Sequence, residues 1–269
     1  MRESLAVLAI LLLVDVGVPA AGPPSPAALA GWDTYVAATE QRIAAELDRG
    51  APFLVEDQRT PGAADARVRR APEAVFTRRI DPPTVPDALV HHWLGGVFVP
   101  GVTVADVLAF VQDYDHHARA FEDVVASKLL SRQGDRFDIY LKLRRTKVIT
   151  VYYDTEHRVD YRVHDAARAS SRSVTTSIRE LENGERPDAR AKPSERDSGY
   201  MWRLNSYWRF QQTPQGVHVE CESVSLSRTI PWAFRWVVAP FVNSIPRESL
   251  ERTLHGIRAG AIARTTERR

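Results

Sequence analysis

The sequence predicts an α+β fold in which a curved antiparallel sheet wraps around a long C-terminal helix, with an additional N-terminal helix. Three observations carry this expectation. Helical spacing of apolar residues is confined to an N-terminal stretch, a short central stretch and the C-terminal end. Through the hundred or so residues between, apolar and polar side chains alternate in one run after another. Antiparallel strands with one buried face read this way, and that face needs another element to cover it.

The elements follow in order. Met1-Arg2 precedes the apolar run Leu5 to Val14 and then Val18-Pro19-Ala20, the pattern of a secretory signal peptide cleaved near Ala20. The apolar run is too short for a hydrocarbon core that takes about twenty residues. Residues 1–20 are thus read as a signal peptide, 21–73 as an N-terminal helix and linker, and 74–269 as the main domain of an exported, periplasmic or secreted protein. Ser25-Pro26 opens the first helix, on which Leu29, Trp32, Val36, Ile43 and Leu47 form one stripe, and Gly50 and Pro52 stop it. The polar stretch from Arg59 to Pro72 reads as the linker. Strands are expected at 74–80 and 90–99. Thr103 and Asp106 start a helix carrying Val107, Leu108 and Val111, and a second short helix runs through Phe121 and Val124. Further strands fall at 137–143, 148–153, 157–163, 170–181, 203–212 and 217–227, with 183–198 as a mobile loop. Pro246 opens the closing helix, which sets Leu250, Leu254, Ile257 and Ala261 on one face.

Composition removes several function classes. Thirty-six Lys plus Arg against 34 Asp plus Glu leaves a net charge of +2, spread along the chain, which gives nucleic-acid binding no support. The single cysteine, Cys221, is too little for an intramolecular disulfide or a zinc cluster. His91 and His92 are strand neighbours and point to opposite faces, and Asp113, His116 and His117 read as a surface turn, so no metal or cofactor is assigned. Neither a G-x-S-x-G elbow nor a glycine-rich phosphate loop occurs. His218, Glu220 and Glu222 share a strand face, the two carboxylates about 7 Å apart. Alternation puts Val219 and Cys221 inward and these three on a solvated face. The same rule sends Trp208 inward and Arg209 to water.

Val90-His91-His92-Trp93 with Phe98-Val99-Pro100-Gly101, the run Asp113 to His117, the run Tyr200 to Phe210, Cys221 to Arg228 leading into Ile230-Pro231, and Pro246 to Leu250 resemble the START-like superfamily. This superfamily is also called SRPBCC, helix-grip or birch-pollen-allergen-like, and the likeness is to exported bacterial members of unassigned role. It spans about residues 74–264 and rests on structural phrases rather than catalytic motifs. It implies a cavity between sheet and C-terminal helix for a hydrophobic small molecule of lipid, sterol, quinone or polyketide class. The expected lining is Trp93, Ile139, Leu141, Tyr161 and Val163, then Leu204, Trp208, Phe210, Val219 and Cys221, faced by Leu250, Leu254 and Ile257 of the helix. The aromatic window 230–241 holds Trp232, Phe234, Trp236 and Phe241. They are either core beneath the helix or a lid that touches a membrane during ligand exchange. Carriage or sensing by a monomer without catalysis is the first reading. One alternative is a cavity enzyme of cyclase or hydrolase type, with Glu220, Glu222, Arg172 or Asp115 converging inside. The other is an envelope interaction module using the N-terminal helix.

Overall fold

Ser25 accepts the Ala28 amide in its side-chain oxygen, Pro26 supplies the first turn, and α1 (Pro26–Arg49) ends at Gly50, whose φ of 76° suits a residue without a Cβ. In the computed structural model, residues 21–146, 150–229 and 235–267 are described, those of 235–243 by backbone alone. Two short helices follow, α2 (Val55–Arg59) and α3 (Ala63–Arg70). The strands are β1 (Phe76–Ile80), β2 (Ala88–Pro100), β3 (Val124–Gln133), β4 (Arg136–Thr146), β5 (Thr150–Asp165), β6 (Arg168–Glu182), β7 (Arg190–Ala191), β8 (Arg203–Thr213) and β9 (Gly216–Arg228). Helices α4 (Val104–Val111) and α5 (His117–Ala120) lie between β2 and β3, and α6 (Arg235–Glu267) closes the chain. Thr103 and Asp106 form the expected capping box at α4.

All pairings are antiparallel, in the order β1-β2-β9-β8-β6-β5-β4-β3, with β7 on β6. Alternation then divides the sheet into two faces. The inner face carries Val97, Val99, Phe210, Val217, Val219 and Cys221 against Leu250, Leu254, Ile257 and Ala261 of α6. Helix α6 rests on β1, β2 and β9 and on α4 and α5. Gly95 permits the close seat, since a Cβ there would stand 2.8 Å from both Leu250 and Leu254. The outer face carries Val90, Tyr207, Val224 and Leu226 against Ala28, Trp32 and Ile43 of α1.

Several expectations need correction. The segment 59–72 is no linker: α2 and α3 fold there, with Phe53, Leu54 and Ala64 buried together. The second short helix, α5, ends at Ala120, before Phe121 and Val124, and residues 124–133, to which the sequence assigned no strand, form β3, where register shifts at Val124/Ala126 and Leu129/Ser131 break the period of two. One strand, β5, replaces two, because no turn residue separates Asp154 from His157. Helix α6 begins eleven residues before Pro246 and includes that proline. The segment 183–198 is tied down by β7 and by Lys192 and Ser198, which hold Glu180.

Candidate ligand-binding face

Register places the sequence-predicted residues in rows across the inner face. Val163, Ala169, Phe210, Val219 and Val97 make one row, and Tyr161, Ser171, Trp208, Cys221 and Gly95 the next. A third holds Val159, Ser173, Ser206, Ser223 and Trp93, and a fourth holds His157 and Thr175, then Leu204, Ser225 and His91, joined where the Leu204 amide reaches Thr175 Oγ1. Ile139 and Leu141 continue the face on β4, opposite His157 and Thr155. All ten predicted strand residues therefore share one face; Trp93, Tyr161, Trp208, Phe210, Val219 and Cys221 pack in the cluster of Leu250, Leu254 and Ile257, whereas Ile139 and Leu141 pack with Tyr114, Phe137 and Val159.

Their burial differs. Ile139, Phe210, Val219, Cys221, Leu250, Leu254 and Ile257 are buried. Trp93, Leu141, Tyr161 and Trp208 are only half-buried, at the margins of the two clusters on this face, and Leu204 is half-buried as well. Val163 departs from expectation: it is 61% exposed, at the end of β5 where the register shifts, and is a rim residue rather than lining. Cys221 is a core side chain whose thiol pKa burial pushes up, which removes it as a nucleophile. Trp232 and Phe234 lie outside the described residues, and Trp236 and Phe241 are described only as backbone of α6, so the choice between core and lid falls outside the described side chains.

Apolar scanning of the sequence missed the polar half of this face. His157 Nε2 lies 3.0 Å from Thr155 Oγ1, and His91 Nε2 lies 2.9 Å from Ser227 Oγ. Burial pushes both imidazoles down to about 4, helped at His91 by the charge of Arg79, so both are neutral near pH 7. Thr175 accepts the Leu204 amide at 3.3 Å, and Ser206 accepts the Trp208 indole N–H at 3.0 Å. Strict alternation from Val159 and Cys221 would have found these hydroxyls.

The carboxylates expected at water or in the cavity are in neither place. Glu220 and Glu222 are each 1% exposed on the outer face, sealed beneath α1 and α2. Glu220 accepts the Val55 and Glu56 amides at 2.6 and 3.2 Å. Burial nevertheless raises its pKa to about 7, against the lowering effect of those amides and Arg209. Burial also raises Glu222, but hydrogen bonds and charge from His92 and Arg42 overcome it and hold the group at about 2. Arg42 reaches Glu222 at 2.6 Å and Glu46 at 2.9 Å, and His92 Nε2 reaches Glu222 at 3.1 Å while Tyr35 meets its Nδ1 at 2.7 Å. Arg209, expected in water, is 3% exposed, paired with Glu46 and donating to the Phe53 carbonyl at 2.8 Å. His218 pairs with Asp65 at 2.9 Å. Arg172 is held by Glu40 on this same face, and Asp115 accepts the Leu129 amide near the sheet edge, so the four groups named for catalysis do not converge on the inner face. Among the described residues, no three His, Cys, Asp or Glu side chains gather as a metal site, and no helix is long and apolar enough to cross a membrane.

No family model and no curated protein matches the sequence. Solved structures do match. A Thermus thermophilus protein aligns with a TM-score of 0.45 at 15% identity over 63% of this chain and 96% of its own. A STAR-related lipid transfer protein from Xanthomonas axonopodis gives 0.44 at 17% over 68% and 98%. A Streptomyces aromatase/cyclase gives 0.44 at 11% over 66% and 96%. Sheet order and the long closing helix are those of the helix-grip class. The fold is a helix-grip α+β fold. At these scores and identities the likeness brings neither a ligand nor an activity to this chain.

Proposed function

We propose that the protein binds and carries a hydrophobic small molecule on the inner face, beside α6, without transforming it. One observation carries this reading: five large apolar side chains, Trp93, Leu141, Tyr161, Leu204 and Trp208, stand half-buried on a face whose apolar centre, Val97, Phe210, Val219 and Cys221, is packed by the protein's own helix. Each ligand methylene taken from water there contributes about 0.8 kcal/mol, so affinity arises from area and shape. The absence of Glu220, Glu222, Arg172 and Asp115 from this face supports carriage over cyclase or hydrolase chemistry. The apolar stripe of α1 is spent on its own sheet, which weighs against its use as an interaction module. The short apolar run before Ala20 supports export, and residues 1–20 lie outside the described structure.

Native mass spectrometry of protein purified from its own host tests the reading. A retained apolar molecule, lost from Trp208→Ala, is the expected result. A ligand-free wild type that also fails to take up any apolar probe sinks it. N-terminal sequencing tests export, with Ala21 at or near the mature start; envelope protein beginning at Met1 refutes cleavage.

A further inference from the structure

Ala21, the first residue after the expected cleavage point, already has a fitted seat. The amides of Ala21 and Gly22 both donate to the Asp197 carbonyl, at 2.8 and 3.2 Å. Ala21 packs half-buried against the outer cluster around Trp32. Free chain ends fray unless something ties them down. The seat itself depends on a glycine. Gly199 is buried with φ of 71°, and a Cβ on it would stand 2.6 Å from the Ala21 methyl and 3.0 Å from Arg228 Cβ.

The loop that receives Ala21 is acidic. Asp197 Oδ1 accepts the Gly199 amide at 2.6 Å, while Oδ2 accepts no hydrogen bond among the described residues. Burial pushes this carboxyl above its usual range, and Glu180 adds to the shift, against the Gly199 amide and Lys192. Lys192 is engaged elsewhere, since it pairs with Glu180, which is 2% exposed and also takes both donors of Ser198. Tyr200 borders the same loop, and Arg228 donates to the Ser198 carbonyl at 3.3 Å. A half-buried carboxylate with an open oxygen therefore adjoins a backbone nitrogen that the loop already holds.

Resting on the export reading above, we propose that signal-peptide removal turns Ala21 into a structural cation: its α-ammonium keeps the Asp197 carbonyl, pairs with the Asp197 carboxylate, and fastens α1 to the loop before β8. In the uncut chain this nitrogen has one proton, already given to the carbonyl. A signal peptidase adds one water across the Ala20–Ala21 bond. The water oxygen ends on the Ala20 carboxylate and both of its hydrogens on the Ala21 nitrogen, whose ordinary pKa is about 7.7 to 8.0. Cleavage thus supplies the cation that the loop lacks, and maturation completes the fold.

The test compares a chain beginning at Ala21 with one that retains Val18-Pro19-Ala20 and so carries its ammonium three residues away. The Ala21 chain should melt about 2 to 4 °C higher at pH 7. Pairing raises the ammonium pKa in the folded state, so this gain is full below about 7.7 and is lost as pH rises through the higher folded value. Asp197→Asn keeps the carbonyl and the acceptor for Gly199, and should erase the difference between the two chains. It should also speed acetylation of the Ala21 amine by succinimidyl acetate about 10-fold, read by mass spectrometry of the N-terminal peptide, with exposed Lys128 unchanged as the internal control. Equal midpoints for the two chains, a difference that survives Asp197→Asn, or an unchanged acetylation rate overturns the capture and leaves export standing. Envelope protein that begins at Met1 overturns the processing step, and the capture with it.

Discussion

The two faces of the sheet are both covered by helix, and by opposite chemistry. Under α6 the contact is largely aliphatic, is bordered by half-buried Trp93, Tyr161 and Trp208, and uses a glycine for close approach. Under α1 and α2 the contact is a seam of ionised and hydrogen-bonded groups, Arg42, Glu46, His92, Arg209 and Glu222, flanked by an apolar cluster around Trp32. The contrast separates two jobs. An aliphatic contact tolerates a guest because dispersion and hydrophobic burial are non-directional. A buried charge seam tolerates none, since each member depends on a partner at fixed distance.

The largest test of this contrast removes the outer cover altogether. Deleting residues 21–72 exposes the apolar outer cluster and strips Glu222 and Arg209 of Arg42 and Glu46. Circular dichroism and gel filtration should show loss of the cooperative transition; a truncated chain that melts like wild type breaks the argument. Next comes Arg209→Ala, which leaves Glu46 without its buried partner and should cost about 3 to 5 kcal/mol in urea unfolding. Trp208→Ala on the neighbouring position should show the inverse pattern. Being half-buried, Trp208 should cost less than the ~3 to 5 kcal/mol of a fully buried tryptophan, yet lose most uptake of an apolar probe. If Arg209→Ala proves the milder change in stability, the seam is ornamental.

A smaller effect is expected in pH dependence. His91, His117 and His157 are held near 4 by burial, so stability present above about 6.5 is lost as pH falls through 4. Glu220 runs the other way. Raised to about 7, its contribution is full below about 4.5 and is lost as pH rises through 7. Wild type therefore loses stability on acidification with Glu220 partly offsetting the histidines, and Glu220→Gln should steepen the loss between pH 7 and 4.5. Unfolding midpoints for both proteins across that range decide it, and parallel profiles would show that Glu220 titrates normally. Smallest of all, Val163→Ser at the exposed rim should stay within about 0.5 kcal/mol of wild type.

The inner face was legible in the sequence because alternation is a local signal. Phe137 to Leu143, His157 to Val163 and Val217 to Cys221 each announce which side chains share a face, whatever lies across from them. The outer face was illegible for the same reason. Glu220, Glu222 and Arg209 show the same alternation whether water or a helix faces them. What distinguishes the cases is Arg42 and Glu46, more than 160 positions away in the chain. Helix α1 did carry a hint: Trp32 and Ile43 on one stripe demand a surface, and only the sheet's second face was free to provide it. Strand β3 escaped notice because its two bulges scramble the period, and the early start of α6 because Pro246 looks like a first-turn proline.

The pairing of β2 with β9 has a consequence for how the molecule is made. Ala88 lies opposite Arg228 and Pro100 opposite Gly216, so the loop closed by this pair contains every strand from β3 to β8. Such non-local closure is slow, and on the ribosome it waits until β9 has emerged. Throughout that interval α1, made first, has no seam to enter, for His92 sits on β2 while Arg209 and Glu222 belong to the last two strands. Arg42 and Glu46 stand one turn apart on α1 and pair with each other. The same two side chains that later bind the sheet can thus pair with each other on the waiting helix, and its docking requires that the final strand be in place.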